Sequence, residues 1–324
     1  MYTTFYGLRE KPFNIVPNPA YLFPSAKHRL AQIYLEYGLS SGNGFILLTG
    51  DVGTGKTTLI RQLMSQLEED IEVAVIFNTN VSHQELLKLI LQEFEIDPQG
   101  LDMSGLLNRL NDFLIEHFAA GRRVLLIIDE AQNLSREALE EVRMLSNLQS
   151  DTSSLLQIML VGQPELRRKL GRPDMSQLVQ RIGVRFHLGP LTKRETSDYI
   201  AHRLEKAGAA DTGLFSPEAV ALIHAHAGGV PRTINLLCDA ALVYGFADEA
   251  EHIGAAIVEQ VIADRQDGSD VIEDMPPQQA IPDEDGSSRD TSRIMDRIAG
   301  LESRVDKLAL KVEWHEREIA EHLD

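Results

Sequence analysis

Cysteine is nearly absent: Cys238 is the one thiol in 324 residues. No internal disulfide can form, and a reducing compartment is the expected home. No run of about 18 apolar residues occurs, so no segment is expected to span a membrane. The opening Met1-Tyr2-Thr3-Thr4-Phe5-Tyr6 has no basic stretch ahead of an apolar core, so no secretory leader is expected. Basic charge is scarce as well, with 31 Lys and Arg against 49 Asp and Glu and a net charge of −18. Non-specific adhesion to DNA needs Lys and Arg to neutralise phosphates, so this balance argues against a nucleic-acid partner, although a local basic patch is not excluded. The acid excess is uneven. Residues 264–290 hold nine acids and two arginines, carrying −7 and leaving −11 for the rest. The length still allows two domains, or one large domain with appendages.

Against these deficits stands one dense stretch, Gly50-Asp51-Val52-Gly53-Thr54-Gly55-Lys56-Thr57, which fits the P-loop pattern G-x-x-x-x-G-K-[ST]. It follows the apolar run Phe45-Ile46-Leu47-Leu48 and precedes a helical pattern with Leu59, Leu63 and Leu67 on one face. A glycine-rich turn between strand and helix leaves successive N–H groups free to surround phosphate oxygens. The helix N-terminus adds partial positive charge at the same place. Lys56 is expected to reach the β- and γ-phosphates and the Thr57 hydroxyl to ligate Mg²⁺, with Thr58 following in the helix. ATP and Mg²⁺ are the expected ligands.

Aromatics and prolines crowd the first 24 residues, from Phe5 and Tyr6 to Phe23 and Pro24, and a helical pattern starts at the N-cap candidate Ser25 and runs to Leu39. Residues 1–40 are expected to act as an N-terminal brace. Residues 41–191 alternate strand candidates (44–49, 72–79, 122–129, 154–162, 183–188) with helical patterns (56–69, 82–95, 104–119, 135–149). That alternation predicts an α/β core: a parallel sheet between two helical layers. Residues 192–264 carry only helical patterns, broken at Gly208, Gly213, Gly228-Gly229 and Gly254, and predict a small all-α domain. Cys238 falls in one of these helices, as buried filler. Residues 265–292 read as an acidic disordered linker.

Residues 293–324 carry a heptad signal. Ile294, Ile298, Leu301, Val305, Leu308, Val312, His315 and Ile319 alternate spacings of four and three. Ile298, Val305, Val312 and Ile319 take position a, and Leu301 and Leu308 take d, which favours a parallel two-stranded coiled coil. The g-to-e′ pairs Arg297–Glu302 and Lys311–Glu316 are opposite in sign. The alternative is an amphipathic helix packed on the chain's own globular part.

Hydrolysis needs more than a phosphate cradle. The run Val124-Leu125-Leu126-Ile127-Ile128 ends in Asp129-Glu130, placing two carboxylates at the C-terminal end of a buried strand. Asp129 is expected to hold Mg²⁺, and Glu130 to orient and deprotonate the attacking water. One lysine leaves the transferring phosphoryl group only partly neutralised, which directs attention to arginines. The run 178–186, with Arg181 and Arg185, leads into the last strand, and Arg232 follows Pro231 at a helix start.

Taken together, Gly50–Thr57, Asp129-Glu130, Arg181 and Arg232, with a helical domain after the α/β core, resemble an AAA+ ATPase. The resemblance implies that Arg232 acts in cis as the sensor-2 arginine of the helical lid. It implies that Arg181 acts in trans as an arginine finger on a neighbour's nucleotide, with Arg185 as runner-up. It also makes Gln163, after the strand 154–162, the sensor-1 candidate, where Asn or Thr is more usual. Phe5-Tyr6-Gly7-Leu8, Pro12-Phe13, Pro17-Asn18-Pro19, Tyr37-Gly38-Leu39, Val161-Gly162-Gln163-Pro164-Glu165-Leu166 and Gly229-Val230-Pro231-Arg232-Thr233-Ile234-Asn235 resemble the ExeA/MshM group of general secretion ATPases. Within that group the chain is most similar to the ATPase of exosortase/PEP-CTERM exopolysaccharide systems. By this likeness residues near Asn18 to His28 flank the adenine; the residues alone equally suit a packed brace.

ExeA-type proteins continue into a transmembrane helix and a peptidoglycan-binding domain, whereas here an acidic stretch and heptads follow. That departure points away from direct coupling to the cell wall and toward a cytoplasmic protein, peripheral at most to the inner membrane. The resemblance implies a homo-oligomer, ring or filament, working with an inner-membrane export component. Two other readings are a DNA-associated regulator similar to MuB and TnsC, for which the cluster Arg167, Arg168, Lys169 and Arg172 speaks, and a nucleotide-gated scaffold with little turnover.

Overall fold

Five parallel strands in the order β2-β3-β4-β1-β5 form the centre of the protein. In this computed structural model the described residues are 2–266, apart from Asn43, Glu68, Glu69, Asn78 and 149–153. The heptads at 293–324 and nearly all of the acidic stretch 265–292 therefore lie outside the described residues. In chain order the elements are α1 (Tyr2–Phe5), α2 (Ala26–Ser40), β1 (Phe45–Gly50), α3 (Lys56–Met64), β2 (Ile71–Ile76), α4 (His83–Glu93) and α5 (Met103–Ala119). They continue through β3 (Arg123–Ile128), α6 (Arg136–Leu145), β4 (Gln157–Gly162), α7 (Pro164–Leu170), α8 (Ser176–Gln180) and β5 (Ile182–Leu188). The last helices are α9 (Lys193–Lys206), α10 (Pro217–Ala227), α11 (Pro231–Ala247) and α12 (Ala255–Gln266).

The layering follows from strand order. The β1-to-β2 crossover moves one way across the sheet, and the three later crossovers move the other way. Right-handed connections then put α3 on one face and α4 to α7 on the opposite face. Side-chain alternation agrees: Leu125 and Ile127 join Leu59, Leu63 and Leu35, whereas Val124, Leu126 and Ile128 join Leu86, Ile90, Leu110 and Val142. Strands covered on both faces need near-continuous apolar runs, which residues 45–48, 124–128 and 158–161 supply to β1, β3 and β4. The expected three-layer core is present, with strand bounds shifted by one to three residues.

Two helices end earlier than their patterns predict. The helix expected over 56–69 stops at Met64, capped by Ser65, and Leu67 still packs against the α3-side core from beyond its end. The helix expected over 135–149 stops at Leu145, where Ser146 caps it. Apolar spacing records which residues face the core, not where the backbone leaves the helix.

Helices α9 to α12 build a second core around Ile200, Leu204, Ile223, Cys238, Leu242 and Val258. Cys238 is fully buried, and burial pushes its thiol well above the usual range, as suits inert filler. The segment 1–40, expected as a brace or adenine-side segment, has three parts. Tyr2, Leu8 and Phe13 belong to the helical core, residues 14–18 and 21–23 border a cavity, and α2 packs on the sheet. Phe13 meets Phe215 edge-to-face at 5.9 Å, so its burial needs the helical domain.

Candidate active site

The P-loop lies where β1 hands over to α3. Gly55, the N-cap of α3, has φ 100, a left-handed conformation that costs an L-residue strain. Gly53, at φ 78, lies so close to the helical domain that an added Cβ would stand 2.5 Å from the Cβ of Arg232. The backbone N–H of Arg232 donates to the Gly53 carbonyl at 3.2 Å. The phosphate cradle and the helical lid thus touch through one glycine.

Lys56 is buried, and its Nζ donates to the carbonyls of Gly50 (2.8 Å) and Asp51 (3.0 Å). Burial lowers its pKa, while Glu130, Asp129 and Asp51 oppose that shift. The Thr57 hydroxyl donates to Asp129 Oδ2 at 3.0 Å, and the Glu130 N–H donates to Asp129 Oδ1 at 2.8 Å. Asp129 is buried, which raises its pKa against those hydrogen bonds. A hydroxyl and a carboxylate in contact, at the end of a phosphate cradle, form the hard-oxygen set that suits Mg²⁺ shared with substrate phosphates. A cation there would relieve the cost of the buried Asp129 charge.

Glu130 stands at the same mouth with φ 50, again left-handed. Three elements hold it there. The Thr79 hydroxyl donates to its carbonyl at 2.9 Å, and Gln163, at the N-cap of α7, donates through Nε2 to Oε2 at 3.0 Å. Gln132, in the 3₁₀ turn Ala131–Asn133, donates to the same Oε2 at 2.5 Å.

A cavity of about 210 Å³ opens beside these groups, bordered by Val52 to Thr58, Glu130, Arg232 and residues 14–18, 21–23 and 28. The N-terminal segment both packs against the helical core and lines this cavity. His28 is a strut between this segment and the P-loop. Its Nε2 faces the Thr54 carbonyl at 3.2 Å, which can only accept, so the neutral ring carries its proton on Nε2 and Nδ1 accepts from Ser25 Oγ at 2.7 Å. Burial lowers the pKa of His28, keeping the ring neutral near pH 7.

Several lining residues escaped the sequence reading. Arg203 of α9 is buried, donates to the carbonyls of Pro12 (2.5 Å) and Asn14 (3.1 Å), and lies 4.7 Å over the Tyr21 ring. Tyr199 donates to Asn235 Oδ1 at 2.8 Å. The available signal was a basic residue on the same helix face as Tyr199, Ile200 and Leu204. Gln132 also went unremarked, although it sits two residues after Glu130.

Arg181 does not enter this cavity. It caps α8, and its Nη1 donates to Ser146 Oγ at 2.7 Å. The adjacent Ile182 pairs with Phe45 at the start of β1, whereas Gly50 pairs with Leu188 at the other end. Six residues of strand separate Arg181 from the P-loop, roughly 20 Å at about 3.3 Å per residue. Arg185 projects from β5, exposed, and donates to the Val179 carbonyl at 2.5 Å. The basic cluster on α7 is partly committed: Arg168 pairs with Glu165, and Lys169 donates to the carbonyls of Gln132 and Leu134. Among the described residues no helix is long and apolar enough to cross a membrane.

The comparisons agree with this geometry. The profile of a family described as an AAA domain matches residues 39–170. General secretion pathway protein A of Aeromonas hydrophila is 45% identical over 249 residues, which cover 76% of this chain and 45% of that protein. The chain thus spans less than half the length of that relative. Among solved structures, the Aeropyrum pernix ORC2 protein, solved in ADPNP-ADP complexes, has a TM-score of 0.58 at 22% identity, covering 80% of this chain and 72% of its own. Cdc6p from Pyrobaculum aerophilum has a TM-score of 0.60 at 18% identity, covering 76% and 71%. At such identities the likeness speaks for the fold alone; nucleotide binding is implied by the AAA domain match at residues 39–170. The AAA domain and the 45% identity to general secretion pathway protein A over 76% of this chain support its grouping with the AAA+ proteins of the general secretion type.

Proposed function

We propose that this protein hydrolyses ATP with Mg²⁺ and uses the cycle to assemble or regulate an envelope export apparatus, of the exosortase/PEP-CTERM exopolysaccharide type. The observation that carries the hydrolytic part is Glu130, a carboxylate held at the mouth of the P-loop cavity beside the Thr57–Asp129 pair. In this reading the P-loop amides and Lys56 bind the phosphates, and Thr57 and Asp129 hold Mg²⁺, whose charge offsets that of the phosphate oxygens. Glu130 takes the proton of the attacking water. Gln163 fixes Glu130, and Arg232 brings lid charge to the γ-phosphate. The export role rests on the likeness to general secretion pathway protein A. A location in the cytoplasm, peripheral to the inner membrane, and coupling through a coiled coil at 293–324 belong to the same proposal.

A second copy is part of this reading because Arg181 stands at the opposite end of the β1–β5 pair from its own P-loop. Chains carrying Arg181→Ala and chains carrying Lys56→Ala should each be inactive alone. Mixed, they should recover a measurable fraction of phosphate release, since one interface pairs an intact P-loop with an intact Arg181. A silent mixture of chains that still co-assemble would remove Arg181 from the mechanism and bring Arg185 forward.

The partner class has its own test. Membrane extract should stimulate phosphate release by the full chain, and duplex DNA should not. Salt-sensitive stimulation by DNA alone would replace export with a role on nucleic acid. The internal commitment of Arg168 and Lys169 speaks against that outcome.

A further inference from the structure

We infer that Gln132 is the positioning residue that selects which oxygen of Glu130 meets the attacking water. The inference rests on the proposed role of Glu130 as the water-activating carboxylate. A carboxylate on a rotating side chain presents either oxygen in many directions, and a general base works only when aimed within hydrogen-bond reach of its proton. Here one oxygen is occupied twice. Oε2 of Glu130 accepts from Gln132 Nε2 at 2.5 Å and from Gln163 Nε2 at 3.0 Å. Among the described residues no donor reaches Oε1, which leaves that oxygen for water.

Gln132 is the better placed of the two to enforce this choice. It is 9% exposed, and both ends of its amide are used: Oε1 accepts from the backbone N–H of Gln163 at 3.1 Å. That contact fixes the amide orientation, so Nε2 must face Glu130. The two glutamines therefore form a closed ring with the carboxylate, and β4 is tied to the base through Gln132 as well as through Gln163. The turn bearing Gln132 is pinned from α7, where Lys169 donates to the carbonyls of Gln132 and Leu134.

Gly162, at the end of β4, makes room for the ring. A Cβ at this position would stand 2.8 Å from Gln132 Oε1 and 3.0 Å from Leu166 Cδ2. A methyl group there must displace the amide without changing its chemistry.

The test compares Gln132→Leu, Gln132→Glu and Gly162→Ala in the full chain, with Glu130→Gln as reference. Gln132→Glu keeps the size of the side chain and the acceptor for Gln163 N–H, but it loses the donor to Glu130. All three should lower kcat for phosphate release by about 10- to 100-fold, because aim is lost while the base remains. Affinity for ATP, read by displacement of a fluorescent ATP analogue, should stay within about twofold, because the P-loop contacts are untouched. A residue needed only for packing would lower both together, or lower the melting temperature without this split. The inference is overturned if folded Gln132→Leu and Gln132→Glu keep parental kcat while Glu130→Gln is inactive. Parental turnover by Glu130→Gln would instead overturn the assignment of Glu130 itself, a separable result.

Discussion

Arg232→Ala is expected to lower kcat for ATP by about 10³-fold, the lower end of what an arginine supplied to a transferring phosphoryl group contributes. Arg232 sits one residue inside α11, after Pro231 at the helix start. Its backbone is bonded to the Gly53 carbonyl, and its side chain borders the cavity that Lys56 and Glu130 border. Its exposed guanidinium has no ion-pair partner among the described residues, so it is available to a phosphate. Single-turnover hydrolysis, with the chain in excess over ATP, separates this effect from slow product release. Arg232→Lys should recover only part of the rate, since an ammonium cannot engage two phosphate oxygens as a planar fork does. Parental single-turnover rates in Arg232→Ala would detach the lid from the chemistry and leave its contact with Gly53 as packing alone.

Glu130→Gln is the second large effect, a fall of about 10²- to 10⁴-fold in turnover with ATP still bound. The substitution keeps the size of the side chain and replaces a proton acceptor with a neutral amide. Lys56 and the Thr57–Asp129 pair are left in place, so the phosphate and cation contacts should survive. Binding should tighten slightly if anything, because a negative charge beside the γ-phosphate is removed. Such a variant accumulates the ATP-bound state and is the form in which assembly and partner contacts are best examined.

Much of this site was legible in the order of residues, for physical reasons that differ from element to element. The P-loop could be read because phosphate binding demands glycine, lysine and a hydroxyl at fixed spacing. Asp129 and Glu130 could be read because a strand buried on both faces must be apolar until it emerges, so the first carboxylates after Ile128 mark its exit. The layers followed from the alternation of strand and helix.

What could not be read is what each apolar stretch packs against. Tyr2, Leu8 and Phe13 are ordinary buried residues in the sequence, and nothing in their spacing says that their partners are Phe215 and the helices after residue 192. Nothing in the sequence beyond its helix face marks Arg203 as buried. Its burial is stabilised by the carbonyls of Pro12 and Asn14, which come from the other end of the chain. Gln132 was invisible for a related reason, since its role exists only once Gln163 is brought beside it from 31 positions away.

Hydrolysis at the Glu130 cavity is the property on which every proposed role of this protein depends. The direct measurement is phosphate release by the purified full chain at saturating ATP, with Mg²⁺ and after chelation, run beside Glu130→Gln with nucleotide occupancy read in the same samples. The parent should show Mg²⁺-dependent turnover, and Glu130→Gln should lose at least about 10²-fold at undiminished occupancy. Equal turnover by parent and variant, or turnover indifferent to Mg²⁺, would contradict hydrolysis at the Glu130 cavity.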